Sequence, residues 1–563
     1  MLRRVIRSLL AGYRTLETSA LEPAQLNQQQ DTNLVDGVVH HKAGAFAKAE
    51  AAYKKALERN PRDADALHLL GVLALRRGQL DRAEDFVRDA LQVLPASTAY
   101  LNTLASVLSN MGRHEEAHNV LMGALKSEPD ALRVRANLLF LLNIIPGVSR
   151  ERLLAEHLEW GNRHANFGDM IGNSTTSHRK PPYFSYSGRI RIGYVSADFC
   201  SHPVGRIISG ILRCHDRGLV EVFCYDNGSE KDEMNTILRG HAEHWIDAED
   251  MNDEALAARV GSDGIQVLVD LSGHTRKHRL QLFGYKPAPV QVTWLGYLNT
   301  TGVKAIDWRI TDARADPPPQ SKQWHVERLW YLPNCPWIWE PPPHYSPEVS
   351  ELPCGRLGHV TFGSFNTFRK INDVVITTWS NLLHQIPDAR LRVYGAPEGK
   401  AIDRVYDLFE SHGINSSRID LFASVEYQRY LLAYGDVDIS LDPFPYNGGA
   451  TTCESLWMGV PVVTLAGNGG FSRSGVSIAG AVGLPELVAN SGAEYIDIAL
   501  RLARDREGLA IMRKSLRQRV LSSPLADVKG FTRDLESAYQ GMWRYWKEAR
   551  AGIQVDPDQA GHA

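Results

Sequence analysis

Lys370, in Phe365-Asn-Thr-Phe-Arg-Lys370-Ile-Asn, stands between a candidate strand and a candidate helix, where a fixed positive charge can neutralise a departing diphosphate. A solvated surface lysine is the plainer alternative. A second stretch, Asp438-Ile-Ser-Leu-Asp442-Pro-Phe-Pro-Tyr-Asn447-Gly448-Gly449-Ala450-Thr451-Thr452-Cys453-Glu454, reads as a strand, a glycine turn and a hydroxyl-rich helix start. Backbone N–H groups and the positive end of a helix dipole together form an anion site. Thr451 and Thr452 can add hydroxyl donors, and Glu454, one turn in, is placed to accept from ribose hydroxyls. The threonines could instead only cap the helix. A third set is Asp198-Phe-Cys-Ser-His202-Pro203, with Asp270-Leu-Ser-Gly-His274-Thr downstream. His202 could accept a proton, orient a reacting sugar, or simply fix its loop.

Two metal-like patterns are discounted. Asp436-Val-Asp438 leads into an apolar strand, where it caps or hydrogen-bonds rather than holding an ion. His274 and His278 have helical i,i+4 spacing but lack the glutamate of His-Glu-x-x-His and an evident third ligand. The six cysteines show no Cys-x-x-Cys spacing, which leaves structural zinc without close ligand pairs and fits a reduced, cytoplasmic interior.

Short apolar runs alternate with helical patterns around these motifs. Candidate strands are Arg189–Val195, Val220–Tyr225, Ile265–Leu271, Val290–Leu295 and Trp308–Thr311. After prolines at 317–319 and 341–343 come Val360–Phe365, Leu391–Tyr394, Ile419–Phe422, Val437–Leu441 and Val462–Leu465. This alternation predicts two α/β lobes with mostly parallel sheets and a cleft at their strand ends. Neither lobe carries a Gly-x-Gly-x-x-Gly fingerprint or a P-loop, which weakens dehydrogenase and NTPase readings.

The first 145 residues have a different period. Gly44, Gly78 and Gly112 lie 34 residues apart, as do Pro61, Pro95 and Pro129. Ala49, Ala83 and Ala117 repeat in step, as do Ala56, Ala90 and Ala124, while Gly37, Gly71 and Ala105 continue the pattern upstream. This is the tetratricopeptide period: small residues let paired helices approach, glycine ends the first helix and proline closes the unit. Such an array suits an extended peptide. Residues 133–142 predict one further helix.

The chain therefore divides into a basic and polar lead (1–30), helical repeats (31–145), a helical linker (146–187), two Rossmann-like lobes (188–350 and 351–545) and a polar tail (546–563). A net charge of −3 argues against nonspecific nucleic-acid binding. No run of about 18 apolar residues predicts a membrane span, and Arg7 interrupts the apolar part of the N-terminus.

Taken together, RIGYVSADFCSHP, DLSGHT, PAPVQVTWLGY, FNTFRKIND, LDPFPYNGGATTCESLWMGVPVVTLAG and SSPLADVKGFTRDLESAYQGMW resemble the O-linked N-acetylglucosamine transferase family, in particular its short bacterial members. The resemblance implies a GT-B fold behind the repeats, UDP-N-acetylglucosamine as donor, Ser or Thr hydroxyls of proteins as acceptors, inversion at C1, and no metal or cofactor. It implies that Lys370 is the phosphate-binding lysine, His202 the active-site histidine of the first lobe, and His244 a second histidine near the donor. Asn447, Gly448, Gly449, Thr451 and Thr452 fall in the phosphate-binding turn, and Glu454 where an acid holds the ribose. Animal members carry His-Thr-Thr where this chain has Gly449-Ala450-Thr451. Thr367 stands in place of a phosphate-contacting glutamine, and Tyr430 in place of a histidine that stacks on uracil. These departures keep two alternatives open: a protein O-fucosyltransferase using GDP-fucose, and a catalytically weak repeat scaffold.

Overall fold

The computed structural model describes residues 32–166, 188–341 and 345–553. The lead at 1–30, the polar stretch at 173–187 and the tail beyond 553 lie outside the described residues. The described residues fall into two compact units, one holding 32–141 with 396–407, the other holding the described residues from 142 to 395 and from 408 to 553.

The first unit contains three helix pairs, Thr32–Lys42 with Phe46–Arg59, Ala64–Arg76 with Leu80–Val93, and Thr98–Asn110 with His114–Ser127, then the helix Leu132–Leu142. Each pair turns on a glycine with positive φ, 71° at Gly44, 72° at Gly78 and 77° at Gly112, a conformation that a side chain would strain. At Gly71 a β-carbon would lie 2.5 Å from Val87, so the missing side chain sets how closely the pair packs. Each second helix stops two residues before its proline. Asn60, Leu94 and Glu128 are non-helical there, because proline disfavours helical φ,ψ in the residue before it.

The second unit carries two wholly parallel sheets. The first has seven strands in the order β3-β2-β1-β4-β5-β6-β7. They are β1 (Ile190–Ser196), β2 (Val220–Asp226), β3 (His244–Asp247), β4 (Val267–Asp270), β5 (Val290–Thr293), β6 (Trp308–Thr311) and β7 (Arg328–Tyr331). The second is ordered β10-β9-β8-β11-β12-β13. Its strands are β8 (Thr361–Ser364), β9 (Arg390–Tyr394), β10 (Ile419–Phe422), β11 (Ile439–Leu441), β12 (Val462–Leu465) and β13 (Val488–Ala489). All ten predicted strands form. The three the sequence did not single out lie at sheet edges, where two or four paired residues leave little hydrophobic pattern to read.

Strand order reverses between β1 and β4 in one sheet and between β8 and β11 in the other. Such switch points open a crevice at the carboxyl ends of parallel strands. The final helix, Val528–Arg550, packs Phe531, Leu535, Tyr539 and Met542 against Ile192, Tyr194, Val292 and Trp308. It thus belongs to the core of the first sheet, although the sequence division places residues to 545 with the second lobe. Apolar periodicity shows that a helix has a buried face but not which sheet buries it. Among the described residues no helix is long and apolar enough to cross a membrane.

Candidate active site

The second sheet's switch point collects most of the predicted residues. The segment after β8 carries Asn366, Thr367 and Lys370; the segment after β11 carries Asp442, Asn447, Gly448 and Gly449 and enters the helix Ala450–Trp457. Lys370 Nζ donates to the Asn447 carbonyl at 2.7 Å and to Asn366 Oδ1 at 3.0 Å. It also lies 4.8 Å from the centre of the Tyr446 ring. Burial lowers the Lys370 pKa to about 8, opposed by the nearby Asp442 carboxylate.

Asp442 ties the turn together. Its Oδ1 accepts from the Gly448 N–H at 2.7 Å and its Oδ2 from the Thr464 hydroxyl at 2.8 Å. Burial raises its pKa to about 6 against the pull of Lys370. A β-carbon at Gly448 would lie 2.6 Å from both the Thr451 and Thr452 hydroxyls, so only glycine fits this turn. Gly449 precedes the helix and supplies no side-chain cap; the Thr452 N–H turns back to the Gly449 carbonyl at 3.0 Å, which leaves the N–H groups of Ala450 and Thr451 to face an outside acceptor. Thr452 Oγ1 and Asn447 Oδ1 are buried with no hydrogen-bond partner among the described residues. Buried polar atoms are normally satisfied, so this turn is polar and underfilled. Thr451 instead reaches Asn366 Oδ1 at 3.3 Å, and Thr367 faces solvent.

Glu454 accepts from Tyr427 at 2.9 Å on one oxygen and from Tyr430 at 2.9 Å on the other. The predicted ribose acceptor is thus already held by two phenols. Tyr430 also meets the Tyr434 hydroxyl at 2.9 Å, and Tyr434 stacks on Phe365 with ring centres 3.7 Å apart. An aromatic wall consequently flanks the turn. On its other side the Trp337 ring would lie 2.8 Å from a β-carbon on Gly449. Trp337 and Trp294 also line a small open recess, with Arg309, Asp316 and Gly470 among its other walls.

The first lobe contributes less of what was expected. His202 caps the helix Pro203–Cys214, its Nδ1 accepting from the Val204 N–H at 3.3 Å. A neutral ring with Nδ1 so engaged carries its proton on Nε2, which suits donation to a ligand oxygen better than proton removal. His244 is not brought to this cluster. It lies on the edge strand β3, bonded to Glu221 at 2.9 Å and stacked on Phe223 at 4.1 Å. As the first residue of β3 it stands at the amino end of its strand, away from the carboxyl-end crevice.

The discounted patterns have structural partners. Asp436 pairs with Arg356 and Arg392, and Asp438 accepts from the N–H groups of Cys354 and Thr361. His274 is buried and bonds the Thr301 carbonyl through Nε2 at 2.8 Å.

Comparison with known proteins fits this architecture. The description of glycosyl transferase family 41 matches residues 160–341 and 354–535. The chain belongs to glycosyl transferase family 41. Tetratricopeptide repeat descriptions match residues 37–98 and 98–130. Within the family, the chain is 38% identical over 427 residues to the probable UDP-N-acetylglucosamine–peptide N-acetylglucosaminyltransferase SPINDLY of Petunia hybrida, covering 75% of this chain and 45% of that protein. It is 26% identical over 504 residues to the UDP-N-acetylglucosamine–peptide N-acetylglucosaminyltransferase of Caenorhabditis elegans, covering 69% and 43%. It therefore spans a little under half the length of these relatives. A solved lysine mutant of Thermobaculum terrenum O-GlcNAc transferase superposes with a TM-score of 0.85 at 34% identity, covering 92% of this chain and 98% of that one.

The structure adds four residues to which the sequence assigned no role: Asn366, Asp442, Tyr427 and Arg206. Two had a readable signal. Arg206 falls four residues after His202, and Tyr427 three before Tyr430, so each shares a helical face with a residue already singled out.

Proposed function

We propose that this chain transfers N-acetylglucosamine from UDP-N-acetylglucosamine to serine or threonine hydroxyls of proteins, with inversion at C1 and without a metal ion. The observation that carries the reading is Lys370, held by the Asn447 carbonyl and Asn366 beside an uncapped helix start at a sheet switch point. The names of the family 41 relatives support the donor and the peptide acceptor.

In this mechanism the acceptor hydroxyl oxygen forms its bond to C1 and gives up its proton to solvent water as the bond from C1 to the diphosphate breaks on the opposite face. Negative charge grows on the diphosphate. Lys370, the N–H groups of Ala450 and Thr451 at the start of the helix and the Thr452 hydroxyl would stabilise it without rearranging. The base would lie along the Tyr430 wall, and the sugar on the side of the turn that Trp337 flanks. His202 would hold a sugar or acceptor oxygen through Nε2–H.

Acceptor recognition falls to the repeats on this reading. Polar side chains on successive first helices join across units: Tyr100 to Asp65 at 2.8 Å, His68 to Thr103 at 2.9 Å and Asn137 to Asn102 at 2.9 Å. A row of such groups can bond an extended peptide backbone.

Calorimetric titration with UDP and GDP, paired with Lys370→Ala, tests the donor class. UDP binding that the substitution removes is the expected result. Preference for GDP would move the reading to fucosyl transfer. Binding of neither would leave a repeat scaffold.

A further inference from the structure

Arg206 stands one turn into the helix Pro203–Cys214, its N–H donating to the carbonyl of the capping His202 at 3.0 Å. The two residues therefore move as one piece of the first lobe. The guanidinium reaches the second lobe: its carbon lies 4.2 Å from the centre of the Tyr427 ring, and Nη1 lies 3.6 Å from Glu454 Oε1. That same oxygen accepts from Tyr427, while Tyr430 holds the other. Arginine, two tyrosines and a carboxylate thus form one network at the start of the helix that follows the glycine turn.

The exposures of the two ends differ. The Glu454 side chain is 6% exposed and the Arg206 side chain 38%. One end is fixed in the protein while the other remains in water. Another contact between the lobes is drier: Ser477 donates to Asp312 at 2.8 Å with both residues buried. A half-exposed cation on a ring and a carboxylate is weak enough to break and reform, whereas the buried bond is not.

We propose that Arg206 is a positioning residue, a releasable latch that draws the His202 helix onto the Tyr427–Glu454 wall and so brings the first lobe to the nucleotide. Its catalytic consequence rests on the function proposed above; the latch itself does not. Ligand hydroxyls bonding to Glu454 would share the carboxylate that faces Arg206, which links loading of the donor to the state of the latch.

The test uses the full chain. Hydrogen exchange is measured without ligand in the parent protein, Arg206→Met, which keeps length and loses charge, and Arg206→Lys, which keeps charge. Arg206→Met should speed exchange several-fold in both Pro203–Cys214 and Tyr427–Ala433 and leave Ser474–Val482 unchanged; Arg206→Lys should restore part of the protection. Equal exchange in parent and Arg206→Met would overturn the latch whether or not UDP binds. In transfer assays Arg206→Met should lower kcat about tenfold, with KM for the sugar nucleotide within about threefold, the scale of one partly exposed cation–π and ion-pair contact. Faster exchange with unchanged kcat, or a change in KM alone, would overturn the positioning role. A parent protein that binds no UDP would refute the proposed function and leave the exchange result standing.

Discussion

Asp270 at the end of β4 and Asp442 just after β11 occupy matching places in the two sheets, each at the strand where the order reverses. Each accepts from a glycine N–H in the following turn, Gly273 at 2.9 Å and Gly448 at 2.7 Å. Each also accepts from a threonine of the neighbouring strand, Thr293 or Thr464, at 2.8 Å. Burial raises both pKa values to about 6. Beyond the turns the resemblance stops. In the first lobe Gly273 leads to buried His274, whose ring packs edge-on to Trp160 at 4.7 Å and to His157 at 5.3 Å, filling the space with protein. In the second lobe Gly448 leads to an uncapped helix, an unpartnered buried threonine hydroxyl and a lysine. The same turn can close a core or leave a polar, underfilled recess, and the residues that follow it decide which.

The sharpest test of that contrast is Lys370→Ala. Turnover should fall by roughly 100–1,000-fold, the scale for removing one preorganised transition-state donor, with circular dichroism unchanged. A folded variant with parental turnover would remove the electrostatic distinction between the turns. Next come Asp270→Ala and Asp442→Ala in parallel. Each leaves buried donors unsatisfied and should cost about 1–3 kcal/mol in chemical denaturation. Only Asp442→Ala should also weaken UDP binding, since it removes the carboxylate beside Lys370. Equal effects on UDP would mean that both turns serve the ligand.

A pH series sharpens the electrostatics without mutation. With its pKa lowered to about 8, Lys370 is mostly protonated at pH 7 and loses its proton as pH rises. Bound diphosphate favours the charged form, so UDP affinity should hold to about pH 7.5 and then fall, by at most tenfold per pH unit. In Lys370→Ala that fall should vanish, and its persistence would assign the titration to another group. The smallest effect is expected of Thr452→Val, which removes a hydroxyl that has no hydrogen-bond partner among the described residues. UDP affinity should drop about three- to tenfold, one hydrogen bond's worth, while stability stays level or rises. A clear loss of stability would show that the hydroxyl serves the fold.

The repeats, the parallel strands and the glycine turn could be read along the chain because each depends on short-range chemistry. Gly44, Gly78 and Gly112 are needed wherever a helix must end with positive φ, and Pro61, Pro95 and Pro129 stop the next helix whatever surrounds them. Gly448, Thr451, Thr452 and Lys370 carry their chemistry within a strand-to-helix connection, so residue type and order were enough to single them out.

Long-range packing settled the rest. The histidine at 244 has the right type, but its place at the amino end of an edge strand turns it toward Glu221. Glu454 was read as placed to accept from ribose hydroxyls, and only the tertiary structure puts a phenol on each of its oxygens, from residues 24 and 27 positions away. Arg206 is an ordinary helix residue until the second lobe places Tyr427 beneath it. The last helix is amphipathic in any setting and joins the first sheet because Ile192, Tyr194 and Trp308 offer its apolar face a partner. Sequence fixes what a residue can bond to; distance in space, set by how two sheets and their helices bury one another, fixes which of those bonds it makes.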